Sequence, residues 1–195
     1  FLLVGASIAP GSDVLLKHVG MNPTRVGILN ILTLMGADIS VRNPREIGGE
    51  PVADLQVRHA PLHGIDIPED EVPLAIDEFP ALFIAAACAT GTTILRGASE
   101  LRVKESDRIA AMAEGLTTLG IKNEPTPDGI VIEGGKLCGG SVRTFHDHRI
   151  AMAFAIAGLR ASAPVEVLDC DHVATSFPGF AELISSAGLK LDARP

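Results

Sequence analysis

The sequence has no tryptophan and no tyrosine, and its only ring hydrophobes are seven phenylalanines. Proteins that bind polynucleotides stack bases on aromatic side chains and gather lysine and arginine on one face. Here 24 acidic residues outnumber 16 basic ones and the net charge is −8, so nucleic acid is not an expected partner. Small anions stay open, because a local site can be positive on an acidic protein. Long apolar runs are also missing. The longest, "ALFIAAACA" at 81–89, falls well short of the roughly 20 residues that span a bilayer. Nothing resembles a signal peptide, so no membrane partner and a cytoplasmic location are expected. Cysteine is scarce: Cys88, Cys138 and Cys170 are far apart, odd in number and without a CxxC pair. They read as reduced structural thiols of a cytosolic protein. The six histidines show no metal-ligand spacing, so no metal site is expected from them.

What is present is apolar and patterned. Of 195 residues, 47% are hydrophobic and 21% charged, the composition of a soluble globular chain with one good core or two small ones. It opens at Phe1 directly into "FLLVGASIA", which reads as the middle of an element and the chain as a piece of something longer.

One stretch breaks a local rule. In "ELRVKESDRIAAM" (100–112), Arg102, Lys104, Glu105, Asp107 and Arg108 precede an abrupt apolar turn. From Ile109, the positions Met112, Ala113, Leu116 and Leu119 recur at spacings of three and four, predicting an amphipathic helix that Gly120 ends. A cation in the first turn of a helix opposes the macrodipole by roughly 0.3–1 kcal/mol where exposed. A bound anion would reverse that cost. The alternative is a solvated corner in which Glu105 and Arg108 form an i,i+3 pair.

A repeat surrounds it. "ILTLMGADISV", "GLTTLGIKNEP" and "LISSAGLKLDA" each read as a helix end, a glycine (Gly36, Gly120, Gly188) and a strand. Each is preceded by an apolar helix and a short strand: "FLLVGASIA" with "SDVLLKHV", "PALFIAAACAT" with "TTILRGA", "RIAMAFAIAGL" with "APVEVLD". Recurrence at roughly seventy residues implies three copies of one unit around a shared core, with no domain boundary inside the chain. "NPREIGGEP", "PTPDGI" and "EGGKLCGG" read as turns and hairpin connections. Helix starts repeat as well. Asn22, Asp77, Asp147 and Ser176 are candidate N-caps, with Pro23 at a first helical position and Arg25, Arg108 and Arg149 in first turns. Helix starts pointing one way would make one face attractive to anions.

"LRVKESDR", "DEFPALFIAAA", "DHRIAMAFA", "MNPTRVGILNIL" and "ATSFPGF", in that company and order, resemble the C-terminal domain of the 5-enolpyruvylshikimate-3-phosphate synthase family over essentially the whole chain. "IDEFP" and "ATSFP" look closer to its bacterial glyphosate-insensitive class than to its plant-like class. The resemblance implies an α/β (α+β) enolpyruvyl transferase-like fold of three βαβαββ repeats, with buried parallel helices and sheets outside. Residues 1–195 would form a single domain, the C-terminal (lower) half of a two-domain enzyme whose N-terminal domain is absent here. The implied activity is that of a 3-phosphoshikimate 1-carboxyvinyltransferase. It transfers the enolpyruvyl group of phosphoenolpyruvate to the 5-hydroxyl of shikimate 3-phosphate, with no metal or cofactor.

Matched position by position, the resemblance makes Asp77 the carboxylate beside the 5-hydroxyl and Glu105 the acid that protonates, then deprotonates, the transferred carbon. Lys104 would touch shikimate 3-phosphate, Arg108 and Arg149 would hold phosphoenolpyruvate, and His148 would line the site, an orienting or capping role being its simpler reading. In plant-like members a lysine contacts phosphate where this chain has Thr175, so that role is not carried over. Rival readings are the sister transferase acting on UDP-N-acetylglucosamine, an RNA terminal-phosphate cyclase, and a folded half without catalysis of its own.

Overall fold

The computed structural model describes residues 1–192. The first unit is α1 (Leu2–Ile8), β1 (Asp13–Gly20), α2 (Gly27–Leu34), β2 (Asp38–Ile47) and β3 (Glu50–Arg58). The second is α3 (Phe79–Cys88), β4 (Thr92–Leu95), α4 (Arg108–Thr118), β5 (Asn123–Thr126) and β6 (Gly129–Glu133). In both, the hairpin's second strand lies in the middle of an antiparallel sheet, in the orders β1-β3-β2 and β4-β6-β5. A leading strand completes the βαβαββ pattern of the second unit in outline: His63 and Asp66 bridge in parallel to Thr90 and Ile94. The third unit has that strand in full. β7 (Gly140–Arg143) pairs in parallel with β8 (Val165–Leu168) across α5 (His148–Ala157), followed by α6 (Val173–Ser176) and α7 (Phe180–Ser186).

The units share a core because three helices are apolar and pack together. α1, α3 and α5 contact one another, and every residue of α3 from Phe79 to Ala87 is buried. A helix apolar all round belongs in an interior. α4 is amphipathic as its spacing predicts, burying Ile109, Met112, Ala113 and Leu116. The three helix-ending glycines have the left-handed backbone this position favours, with φ of 90° at Gly36, 81° at Gly120 and 104° at Gly188.

Several local expectations fail for identifiable reasons. "NPREI" is strand, not turn: β2 runs on to Ile47, and only Gly48 and Gly49 turn the chain. Pro44 and Asn43 disguised it, but they sit where the register of β2 against β3 shifts between Arg42 and Arg45, a bulge that tolerates proline. Asp54 fixes that bulge and the one facing it, accepting from the Asn43 amide, the Arg45 guanidinium and the His18 backbone N–H, each at 3.0 Å. "EGGKLCGG" connects β6 to β7 in different sheets and is no hairpin. Ser176 ends α6 instead of capping a helix, and α7 starts after Gly179. Asn22 caps a 3₁₀ turn, Pro23–Arg25, one residue short of α2. After Gly188, Leu189–Asp192 form no strand; Ala193, the last residue of the expected strand, lies outside the described residues. The thiols are not all structural either: Cys88 is half-buried, whereas Cys138 and Cys170 are exposed.

α4 approaches α5 closely at Gly115, where an added Cβ would meet Phe154 Cζ at 2.1 Å. Phe154 is fully buried and has nowhere to retreat. Gly115→Ala should therefore destabilise the fold by up to about 2 kcal/mol. Overpacking costs roughly 1–3 kcal/mol, against roughly 1 kcal/mol recovered from helix propensity. A denaturation midpoint equal to or above the parent's would show that the contact relaxes freely.

Candidate active site

The starts of α3, α4 and α5 meet at one place, and Arg108 is the joint. As the first residue of α4 it is only 1% exposed. Its Nε donates to Asp147 at 2.8 Å, one terminal nitrogen to Asp77 at 3.4 Å and the other to Glu105 at 2.5 Å. The i,i+3 pair with Glu105 is thus present, but two carboxylates from other elements complete the set. The helix can open on arginine because the chain brings three negative charges to it, and because Asp107 caps α4 by accepting from the Ala110 backbone N–H at 2.9 Å. Arg102 steadies the cap, donating to Asp107 at 2.6 Å.

Asp147 is fully buried and serves two helices. Besides holding Arg108, it caps α5 by accepting from the Arg149 backbone N–H at 2.9 Å, and it accepts from the Ser106 hydroxyl at 3.1 Å. Its candidacy as a cap was legible in the sequence; its hold on Arg108 was not. Asp77, by contrast, makes no capping hydrogen bond. It sits in the 3₁₀ turn Pro73–Glu78, and Glu78 occupies the N-cap position of α3. The cations draw its carboxylate away from the backbone: Lys104 Nζ lies at 3.3 Å and Arg108 at 3.4 Å.

Arg149 is tethered at one nitrogen, which donates to the Asp77 carbonyl at 2.8 Å and reaches Glu78 at 3.5 Å. Its other two nitrogens take part in none of the described hydrogen bonds. Lys104 also pairs with Glu100. Asp77, Lys104, Glu105, Arg108 and Arg149 are therefore brought together, with Glu78 and Ser106 as members that lie inside the motifs but were given no role. His148, the first residue of α5 and half-buried, takes part in none of the described hydrogen bonds or ion pairs. Arg25 is exposed and joins none of the described ion pairs. Thr175 donates to the His172 carbonyl at 2.7 Å, a local bond within the first turn of α6.

Charge tunes these groups. Burial pushes the Asp77 carboxyl up, but Arg149, Lys104 and Arg108 outweigh it and hold it below the ordinary carboxylate value. Burial acts likewise on Asp147 and is outweighed by the Arg108 guanidinium, the Arg149 N–H and the Ser106 hydroxyl. Glu100, then Asp77, raise the Lys104 ammonium against a smaller loss from burial. Of the three carboxylates on Arg108, two reach solvent, Asp77 at 28% and Glu105 at 51% exposure.

Residues 1–184 match the family model for EPSP synthase (3-phosphoshikimate 1-carboxyvinyltransferase). The chain belongs to the EPSP synthase family. It is 66% identical over 192 residues to a 3-phosphoshikimate 1-carboxyvinyltransferase of Methylococcus capsulatus, covering 98% of this chain and 44% of that protein. A relative of the same description from Alkalilimnicola ehrlichii is 67% identical, with 98% and 43% covered. The chain thus spans less than half the length of these EPSP synthase relatives. Among solved structures, an EPSP synthase from Acinetobacter baumannii superposes with a TM-score of 0.97 at 56% identity, covering 99% of this chain and 45% of that one. The enolpyruvyl transferase NikO from Streptomyces tendae superposes with a TM-score of 0.71 at 19% identity, over 98% of this chain and 42% of that one, a likeness of fold alone.

Two predictions follow from the buried network. Arg108→Ala would strand Asp147 without its buried partner, so it should cost about 3–5 kcal/mol of folding stability. A merely solvated anion-binding arginine would cost almost nothing, and an unchanged unfolding midpoint would restore that reading. The pH dependence has a definite sign. Because Asp77 and Asp147 titrate below their ordinary value when folded, their stabilisation is complete above the unfolded value near ~3.9. It is lost as pH falls through the depressed folded values. Asp147→Asn should flatten the stability profile below about pH 4, and an acid limb as steep as the parent's would count against the pairing.

Proposed function

We propose that this chain is one half of a 3-phosphoshikimate 1-carboxyvinyltransferase, acting on shikimate 3-phosphate and phosphoenolpyruvate in a cleft whose other wall is a second domain outside this sequence. The single observation that carries the reading is the convergence of Asp77, Lys104, Glu105, Arg108 and Arg149, the residues that the family resemblance assigns to chemistry, on one cluster at three helix starts.

Each group suits a step. Asp77 is an ionised carboxylate placed to accept the proton of the 5-hydroxyl as that oxygen bonds to C2 of phosphoenolpyruvate. Its basicity is suppressed while it faces three cations; once substrate anions share those cations, it is freed to act as the base. Glu105 delivers a proton to the methylene carbon, converting it to methyl in a tetrahedral ketal phosphate. It takes a proton back from that carbon as the C–O bond to phosphate breaks, which restores the vinyl group and releases phosphate. Arg149, with an unengaged edge of its guanidinium, offers bidentate contact to a carboxylate or phosphate. Lys104 reaches beside Asp77 toward the shikimate hydroxyls. His148, beside Arg149 at the start of α5 that Asp147 caps, would line the site.

Charge supports the need for a second half. In the cluster, Lys104, Arg108 and Arg149 face Asp77, Glu78, Glu100, Glu105 and Asp147, more negative than positive before any anion arrives. Two phosphorylated substrates cannot be held there without further cations, and the missing wall has to supply them.

The test is phosphate release from shikimate 3-phosphate and phosphoenolpyruvate. This chain alone should show no turnover. Supplying the other half should restore it, and Arg149→Ala in the restored enzyme should raise KM for phosphoenolpyruvate at least tenfold. Turnover by this chain alone, after rigorous removal of any full-length enzyme, would overturn the two-half reading. Restored turnover on UDP-N-acetylglucosamine instead would move the assignment to the sister transferase.

A further inference from the structure

The exposures around Arg108 are graded, and the grading has a mechanical meaning. Arg108 is 1% exposed, so no face of the guanidinium is open to an incoming anion. Of the three carboxylates that cover it, Asp147 is fully buried, Asp77 is 28% exposed and Glu105 is 51% exposed. Asp147 cannot leave: it also caps α5 and accepts from Ser106. Asp77 is tied to Lys104 as well as to Arg108. Glu105 has Arg108 as its one described hydrogen-bond partner, at 2.5 Å. It lies just outside the helix, between the 3₁₀ turn Ser99–Val103 and α4, where a side-chain rotation leaves the buried network untouched.

We propose that Glu105 is a removable cap on Arg108. Its carboxylate occupies the guanidinium edge that phosphoenolpyruvate would take, and the substrate's anionic group displaces it by exchange of one carboxylate-type partner for another. This rests on the functional reading above and adds a coupling to it. The displaced Glu105 loses its cation and swings into the cleft beside the substrate that displaced it, so it reaches the reacting carbon only when phosphoenolpyruvate is bound, and the proton it delivers there is taken up from solvent after the exchange. The groups that face Glu105 during the exchange are Arg108 on its own segment, with Asp77 and Asp147 behind that guanidinium from the turn before α3 and the start of α5. No proton need move for the exchange itself, because one anion replaces another on the same nitrogen.

An internal competitor weakens the ligand it competes with by its own occupancy. Removing it should therefore tighten binding even though the same change destroys catalysis. The experiment is calorimetric titration of phosphoenolpyruvate into the two-domain enzyme with shikimate 3-phosphate present, comparing the parent, Glu105→Gln and Glu105→Ala. Because Glu105 is half exposed, its pair with Arg108 is worth little, and Glu105→Ala should bind about three- to tenfold more tightly, with Glu105→Gln between the two. Glu78→Gln, which relieves Arg149 and leaves Arg108 covered, should tighten binding less than Glu105→Ala does. Affinity unchanged or weakened in Glu105→Ala, with the parent binding normally, overturns the cap and leaves the functional reading standing. A folded parent that does not bind phosphoenolpyruvate at all overturns both.

Discussion

A single buried guanidinium sets the geometry of this protein's functional face. Arg108 lies at 1% exposure with a carboxylate on each of its three nitrogens. A charge so placed is tolerable only if every donor is met, because an unpaired buried ion costs several kcal/mol. The three partners come from the turn before α3, the segment before α4 and the cap of α5. Satisfying one arginine therefore fixes three helix starts relative to one another, and with them the side chains that face solvent. Asp147 extends the constraint by capping α5 with the oxygen that Arg108 leaves to it.

The core makes this arrangement possible from behind. α1, α3 and α5 are apolar enough to be packed on one another, so their polar and charged neighbours are pushed to the helix ends. Gly115 lets α4 come close to α5, which brings Arg108 within 2.8 Å of Asp147. A bulkier contact there would lengthen the link between the core and the charged cluster. Packing and electrostatics are thus one constraint seen from two sides.

The architecture was largely legible because it rests on period and repetition. Helical spacing from Ile109, three left-handed glycines and three similar helix–strand pairs all survive in the fold. What failed was local and context-dependent. Asp77 has the residue type and position of a cap, yet Lys104 and Arg108 claim its carboxylate; propensity cannot report a cation that arrives from thirty residues away. Pro44 reads as a turn, yet Asp54 holds a bulge around it from the neighbouring strand. The site residues themselves came from motif resemblance. Glu78 and Ser106 lay inside those motifs and were passed over, because their partners Arg149 and Asp147 adjoin them only in three dimensions.

Charge balance gives the arrangement its functional sense. A site built only to attract anions would leave its cations bare, and bare buried cations would destabilise the empty fold. Here the chain sets carboxylates against its own arginines, so the buried guanidinium is partnered from within the chain. On the proposed reading, anion binding is an exchange of partners, a modest step in free energy for the half-exposed Glu105 and a prohibitive one for the buried Asp147. That difference separates the two kinds of carboxylate around one arginine: the buried one keeps the helix starts in register, and the exposed one is available to chemistry. On the proposed reading, a half-site of this design favours anionic ligands only when further positive charge stands opposite, which is the physical argument for a cleft with two walls.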